Sequence, residues 1–253
     1  VFKKIDLFLR IINQFNNLYL LKTTTMNRKI YLIFLVLFTQ HTFSQGIQFA
    51  DGTSTKMDNT FLTLNEAEDP NIEGSKYLNE SFSRASLSSM PNQIYAVRYN
   101  VFGDEMEFRG RDNTVLALNK SDPSVAVKFL DTNKTYFLFE YLDEDGLVKL
   151  GYFTKLNPQG DNIILKKNVT IFLKEKESKT GYDPYRPPMY KKVKDRVYIK
   201  LKGKMPVLLS SNKKKLVSLF PGKEKEIGNF IKKNRINLKK ETDLIKLINY
   251  LNK

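Results

Sequence analysis

Two carboxylates on one strand face can divide acid and base work on a glycosidic bond. The run Asp104-Glu105-Met106-Glu107 offers that arrangement, with Glu105 and Glu107 on one face and Asp104 in the preceding turn. Same-face glutamates in a hairpin more often belong to its solvent side, which is the reading preferred here. Arg98, mid-strand in Ala96-Val97-Arg98-Tyr99-Asn100, is then expected to pair with Glu105 or Glu107 across the hairpin. Asp143-Glu144-Asp145-Gly146 opens like a calcium loop. Positions 5 and 12 of that loop must supply oxygen ligands, and counting from Asp143 they are Leu147 and Thr154. The run therefore reads as a polar hairpin turn, and no metal or other cofactor is expected.

Recognition chemistry is concentrated elsewhere. In TGYDPYRPPMYKK, Tyr182, Tyr185 and Tyr190 surround Arg186 on a proline-stiffened backbone, followed by Lys191, Lys192 and Arg196. Tyr and Arg dominate binding hot spots, and a stiff backbone lowers the ordering cost of binding. These seven residues are the binding site expected from the sequence. The competing reading has the tyrosines pin the loop to a sheet.

The segment MNRKIYLIFLVLFTQHTFSQ begins at Met26 with a basic head and continues with nine apolar residues from Ile30 to Phe38. Thr42 and Ser44 are spaced like a cleavage site, so residues 26–44 read as a secretory signal peptide cut between Ser44 and Gln45. A permanent transmembrane helix needs about 20 apolar residues, so no such span is expected. Residues 1–25 read as a mis-assigned upstream extension with translation starting at Met26. The alternative is a long leader or a retained amphipathic anchor, because Phe2, Ile5, Phe8, Ile12 and Phe15 recur at helical spacing. The expected product is exported, to the periplasm or beyond.

The chain has no Cys, and its single histidine, His41, lies in the expected leader. The mature protein would therefore lack Cys/His zinc sites and both Ser-His-Asp and Cys-His nucleophilic machinery. A non-enzymatic role is expected; an enzyme would have to rely on carboxylates, Lys, Tyr and Ser.

Around these residues the elements are legible. From Ile94 onward, short alternating runs rich in β-branched and aromatic residues are separated by turn signals at 103–104, 110–113, 121–124, 143–146 and 157–162. Tyr95, Val97, Tyr99 and Val101 share one face, and Met106 and Phe108 another. Residues 176–190 read as a long extended loop, interrupted by Pro184, Pro187 and Pro188. Two more strands follow within 195–210. Pro221-Gly222 then precedes a helix over 223–234 with Ile227, Phe230 and Ile231 in one stripe. A second helix over 239–252 is expected to bury Leu244, Ile245, Ile248 and Leu251. The expected fold is α+β, mainly β: an antiparallel meander sheet or partly closed barrel spanning 45–210, with a basic C-terminal helical hairpin in 211–253 packed on the sheet or its edge.

Charge is unevenly spread. Residues 45–190 hold 17 basic and 21 acidic residues, whereas residues 191–253 hold 19 and 5. Such an asymmetry is either a solvated lysine surface, which also discourages sheet-to-sheet pairing, or a footprint for lipid headgroups or acidic glycan of the envelope. Nucleic acid is disfavoured by the leader and by the lack of a reading motif.

Three stretches, IEGSKYLNESF (72–82), VRYNVFGDEMEF (97–108) and LVSLFPGKEKEIGNFIKKNRINLKKETDLIKLINYLN (216–252), together with the loop TGYDPYRPP, resemble an uncharacterised family of secreted proteins from Bacteroidetes of the flavobacterial type. The resemblance covers most of residues 60–253. It implies a signal peptide directly before the domain and an envelope location, and brings no activity, cofactor or catalytic residue. The expected function is that of an exported binding or scaffold protein, its basic end contacting an anionic envelope component. A carboxylate-based glycan enzyme and a protein–protein module of an envelope complex are the rivals.

Overall fold

Apolar–polar alternation becomes strand throughout the computed structural model, which describes residues 47–48, 60–64, 69–178 and 184–253. The expected leader, the segment before it and Tyr182 lie outside the described residues. In chain order the strands are β1 (Ile47–Gln48), β2 (Phe61–Thr63), β3 (Glu73–Gly74), β4 (Ser83–Leu87), β5 (Met90–Asn100), β6 (Glu105–Arg109), β7 (Val115–Leu118), β8 (Val127–Phe129), β9 (Lys134–Leu142) and β10 (Val148–Lys155). They continue with β11 (Ile163–Lys167), β12 (Thr170–Leu173), β13 (Met189–Lys192), β14 (Arg196–Lys200) and β15 (Val207–Leu208). Three helices close the chain: α1 (Lys213–Val217), α2 (Glu224–Lys233) and α3 (Glu241–Leu251).

One sheet has twelve strands, eleven of them on a single antiparallel path in the order β15-β14-β11-β10-β9-β8-β4-β5-β6-β7-β2, with β1 parallel to β5. The path is open at β15 and β2 and does not close into a barrel. Both ends are short strands, which leaves little unpaired edge for a neighbouring chain to copy. A small second sheet joins β12, β13 and β3.

The main core follows from period two. Tyr95, Val97 and Tyr99 of β5 point to the same side as Met106 and Phe108 of β6, and strands β4, β7, β8, β9 and β10 add their inward residues to one apolar cluster. Burying each large apolar side chain contributes about 1.5–3 kcal/mol. A second cluster holds the helices. Ile227 and Ile231 of α2 and Leu247, Ile248 and Leu251 of α3 pack with Ile164 of β11 and Ile199 of β14. Tyr250, at the end of α3, stacks on Phe230 of α2 at 4.0 Å and an interplanar angle of 16°. The expected helical layer on the sheet is thus present.

Several expectations are corrected. Glu107 is not on the solvent side of its hairpin: it is 2% exposed, because residues 76–82 cross the outer face of β5 and β6. The buried stripe of α3 uses Leu247 in place of Ile245, which is half-buried. Leu247 lies three residues after Leu244 and four before Leu251, so it completes the stripe at helical period. The end of the 176–190 loop is strand, since Met189 and Tyr190 pair in β13. The short strands before Ile94 and the helix α1 were not legible as periodic runs. Among the described residues no helix is long and apolar enough to cross a membrane.

Candidate functional site

The described residues singled out by sequence are spread over two strands, β13 and β14, and a bridge at Arg186 rather than gathered together. Tyr185 is 58% exposed and its phenol, hydrogen-bonded to Glu175, is held above the usual tyrosine range. Arg186 exchanges backbone hydrogen bonds with Lys176, and its Nη2 donates to the Lys174 carbonyl at 3.0 Å. Tyr190 packs against Phe102 at 5.0 Å and Phe172 at 5.4 Å. Lys192 Nζ donates to the Leu78 carbonyl at 2.9 Å, Lys191 is exposed on β13, and Arg196 Nη2 meets Glu144 Oε2 at 2.8 Å. Tyr190 and Arg186 therefore pin the loop, while Tyr185 and Lys191 remain at the surface.

Asp104 and Glu107 of the 104–107 run each have a structural partner. Glu107 accepts from Arg98 Nε at 2.7 Å and from Asn100 Nδ2 at 2.9 Å. The Arg98 guanidinium in turn lies 3.7 Å above the Tyr77 ring. The expected pairing of Arg98 is thus with Glu107. Asp104, at φ 56° in the β5–β6 turn, reaches across to the splayed end of β10 and β11. It accepts from Tyr99 Oη at 2.5 Å, from Lys167 Nζ at 2.7 Å and from the Tyr152 backbone N–H at 3.3 Å. Burial pushes the Lys167 ammonium below its ordinary pKa, with Asp104 opposing that shift. Asp143 accepts from the Asp145 and Leu147 N–H groups and pairs with Lys149 at 2.7 Å, an Asx-type turn. Its carboxyl is held below the usual range, chiefly by the Lys149 hydrogen bond. Among the described residues, no group of three or more His, Cys, Asp or Glu is placed to hold a metal ion.

The helical layer is different. Residues 211–253 carry twelve Lys and Arg against four acids. All four acids are occupied: Glu224 by the Gly222 N–H, Glu226 by the Tyr250 phenol, Glu241 by Lys166 Nζ and Asp243 by the Asn237 N–H. None of the twelve cations forms an ion pair among the described residues. Three of them, Lys232, Lys233 and Arg235, line an open groove of about 980 Å³ with the stacked Phe230 and Tyr250, with Asn229 and Asn234, and with Glu226, whose carboxylate is engaged by the Tyr250 phenol.

The groove is built by the end of α2. The Arg235 N–H donates to the Lys232 carbonyl and the Ile236 N–H to the Ile231 carbonyl, which is a Schellman closure. The left-handed residue of that motif is usually Gly. Here it is Arg235, at φ 52°. The other described non-glycine residues at positive φ are Asp104, Asn113 and Asn133, types that tolerate this region. A long basic side chain there costs about 1–2 kcal/mol of backbone strain.

Comparison of the chain with protein-family models, with curated proteins and with solved structures finds no match.

Proposed function

We propose that this is an exported, non-enzymatic binding protein of the cell envelope. Its basic helical layer contacts an anionic partner that presents phosphate or carboxylate groups in a row, as lipid headgroups or an acidic glycan do. The groove flanked by Lys232, Lys233 and Arg235 is the centre of contact. The observation that carries this reading is Arg235, a cation kept in a conformation where glycine is cheaper. Strain at such a position is a pointer to use. The unpaired lysines around it and the aromatic stack between them supply charge and a flat apolar surface. Pairing of Asp104 with Lys167 and of Glu107 with Arg98 also favours binding over carboxylate catalysis.

Binding is measured to vesicles of zwitterionic lipid with and without phosphatidylglycerol, and to immobilised polygalacturonate. Affinity for at least one anionic probe is expected, falling steeply with salt because exposed charges are screened within about 10 Å at 0.1 M. Each cation near an anionic surface contributes about 1 kcal/mol. The variant Lys232→Gln/Lys233→Gln/Arg235→Gly should therefore bind on the order of 100-fold more weakly. Arg235→Gly alone should weaken binding while leaving stability equal or up to about 1 kcal/mol higher. Absence of binding to both probes at low salt, or affinity unchanged in the triple variant, would sink the proposal.

A further inference from the structure

Lys167 and Asp104 meet only through the fold. Lys167 ends β11 and Asp104 sits in the β5–β6 turn, 63 positions earlier in the chain. Lys167 Nζ lies 2.7 Å from Asp104 Oδ2, and the two side chains are only 10% and 17% exposed. A carbon–oxygen bond of about 1.2 Å then puts Nζ within about 4 Å of the carboxyl carbon, close to the ~3–3.5 Å from which bond formation starts.

The carboxyl group is held from its other side. Oδ1 accepts from Tyr99 Oη at 2.5 Å and from the Tyr152 backbone N–H at 3.3 Å. Two donors fixed on one oxygen are the arrangement that stabilises an oxyanion. The Tyr99 phenol is pushed well above its ordinary pKa, chiefly by burial, so it keeps its proton at neutral pH. Gly151 leaves room for both reacting groups beside the β10 backbone.

The amine is kept dry. The rings of Tyr141 and Phe153 stand 5.3 and 5.0 Å from Lys167 Nζ and shield it from water. Burial lowers the lysine pKa, with Asp104 opposing the shift. Away from water, a neutral amine beside a neutral acid competes with the ion pair. A desolvated lysine amine is also a nucleophile. Holding amine and acid together turns their encounter into a step within one molecule, which removes the entropic cost of bringing them together.

We propose that Lys167 and Asp104 condense into an amide crosslink in the folded protein, with Tyr99 Oη and the Tyr152 N–H holding the developing oxyanion. A proton first passes from the ammonium to Oδ2. The amine lone pair then attacks the carboxyl carbon, and the carbonyl electron pair moves onto Oδ1. As that pair returns, the bond from carbon to Oδ2 breaks, a second amine proton joins Oδ2, and water leaves. One ammonium and one carboxylate thus become one amide and one water, without any further reactant. The bond closes a long loop and restricts the unfolded chain as a disulfide does, in a chain that has no cysteine. It is independent of the helical groove and of the partner proposed for it.

The test is mass spectrometry of the full chain, shown by circular dichroism to be folded and then denatured and digested with trypsin. An acylated Lys167 is not cut, so residues 99–109 and 167–174 are expected as one branched species, lighter by one water than the two separate peptides. Fragmentation should place the bond between Asp104 and Lys167. Lys167→Arg and Asp104→Ala should give no branched species. Tyr99→Phe should lower the linked fraction at early times after cell-free synthesis by about tenfold or more. Where a variant does not fold, the digest of the parent chain decides. Recovery of residues 99–109 wholly unlinked from the folded parent, or a bond at another lysine, overturns the proposal. An unchanged linked fraction in folded Tyr99→Phe overturns the role given to Tyr99.

Discussion

Gly151 illustrates how much one hydrogen atom can decide. A Cβ at this position would lie 2.6 Å from Asp104 Oδ2, 2.7 Å from Lys167 Nζ and 2.9 Å from a ring carbon of Tyr141. Glycine lets the β5–β6 turn reach β10 and lets Lys167, only 8% exposed, close its ion pair. Gly151→Ala should therefore crowd a buried pair and destabilise by about 1–3 kcal/mol, read as a lower urea midpoint at unchanged slope. A variant as stable as the parent would show that the turn does not depend on this approach. At the same scale the sequence was partly legible. The partnership of Arg98 with a hairpin glutamate was visible from strand register. The burial of Glu107 was not, because alternation tells which way a side chain points, not what later covers it. Tyr77 and Phe82, which bring the cover, lie outside any regular run.

Elements depend on fewer contacts than their length suggests. The end of α3 is tied to the β10–β11 loop by Asn252. Its Oδ1 accepts from the Asn162 N–H at 3.0 Å and from Asn162 Nδ2 at 2.9 Å, and its Nδ2 donates to the Asn162 carbonyl at 2.8 Å. Gly160, at φ 95°, sits directly against the same amide. Asn252→Ala removes these bonds and should cost about 2 kcal/mol. The loss should appear first as faster hydrogen exchange in α3, with β5 and β6 little changed. Equal acceleration in β5 and β6 would mean that α3 does not open separately from the sheet. The helices themselves were legible: Ile227 and Ile231 recur at helical period, and acids precede while lysines follow along α2, as the helix dipole favours. Helix α1 has a single buried residue, Leu216, and its Asn212 cap has no long stripe to announce it.

For the whole molecule, aromatic packing sets the response to alkali. Tyr99, Tyr136, Tyr141, Tyr152 and Tyr198 are buried. Burial is the first cause that raises each of their phenol pKa values, with Tyr141 and Tyr198 pushed up to about 12. An unfolded tyrosine ionises near pH 10, so above that pH the unfolded chain releases protons that the folded one keeps. The stabilisation is complete below about pH 10 and is lost as pH climbs toward the folded values. A spectrophotometric titration at 295 nm, run beside circular dichroism, should show these tyrosines ionising together with loss of structure above about pH 10. Smooth ionisation of all 13 tyrosines near pH 10 in a folded protein would contradict their burial. The net positive charge of the C-terminal quarter is also a property at this scale, and it was readable from composition alone.

Period-two alternation, turn residues and two apolar stripes were enough to determine that the chain is mainly β with helices at its end, because these patterns are local and each turn or strand carries its own signal. The lysine-rich end, the lack of Cys and the position of His41 were likewise decided by sequence. Tertiary structure alone decided that β8 lies beside β4 and β11 beside β14. It also decided that Asp104 is inserted at β10 and that Glu107 is covered. The physical reason is common to all four. A strand's pattern states which face is apolar, while the identity of its neighbour depends on how the whole sheet curls to bury every such face at once.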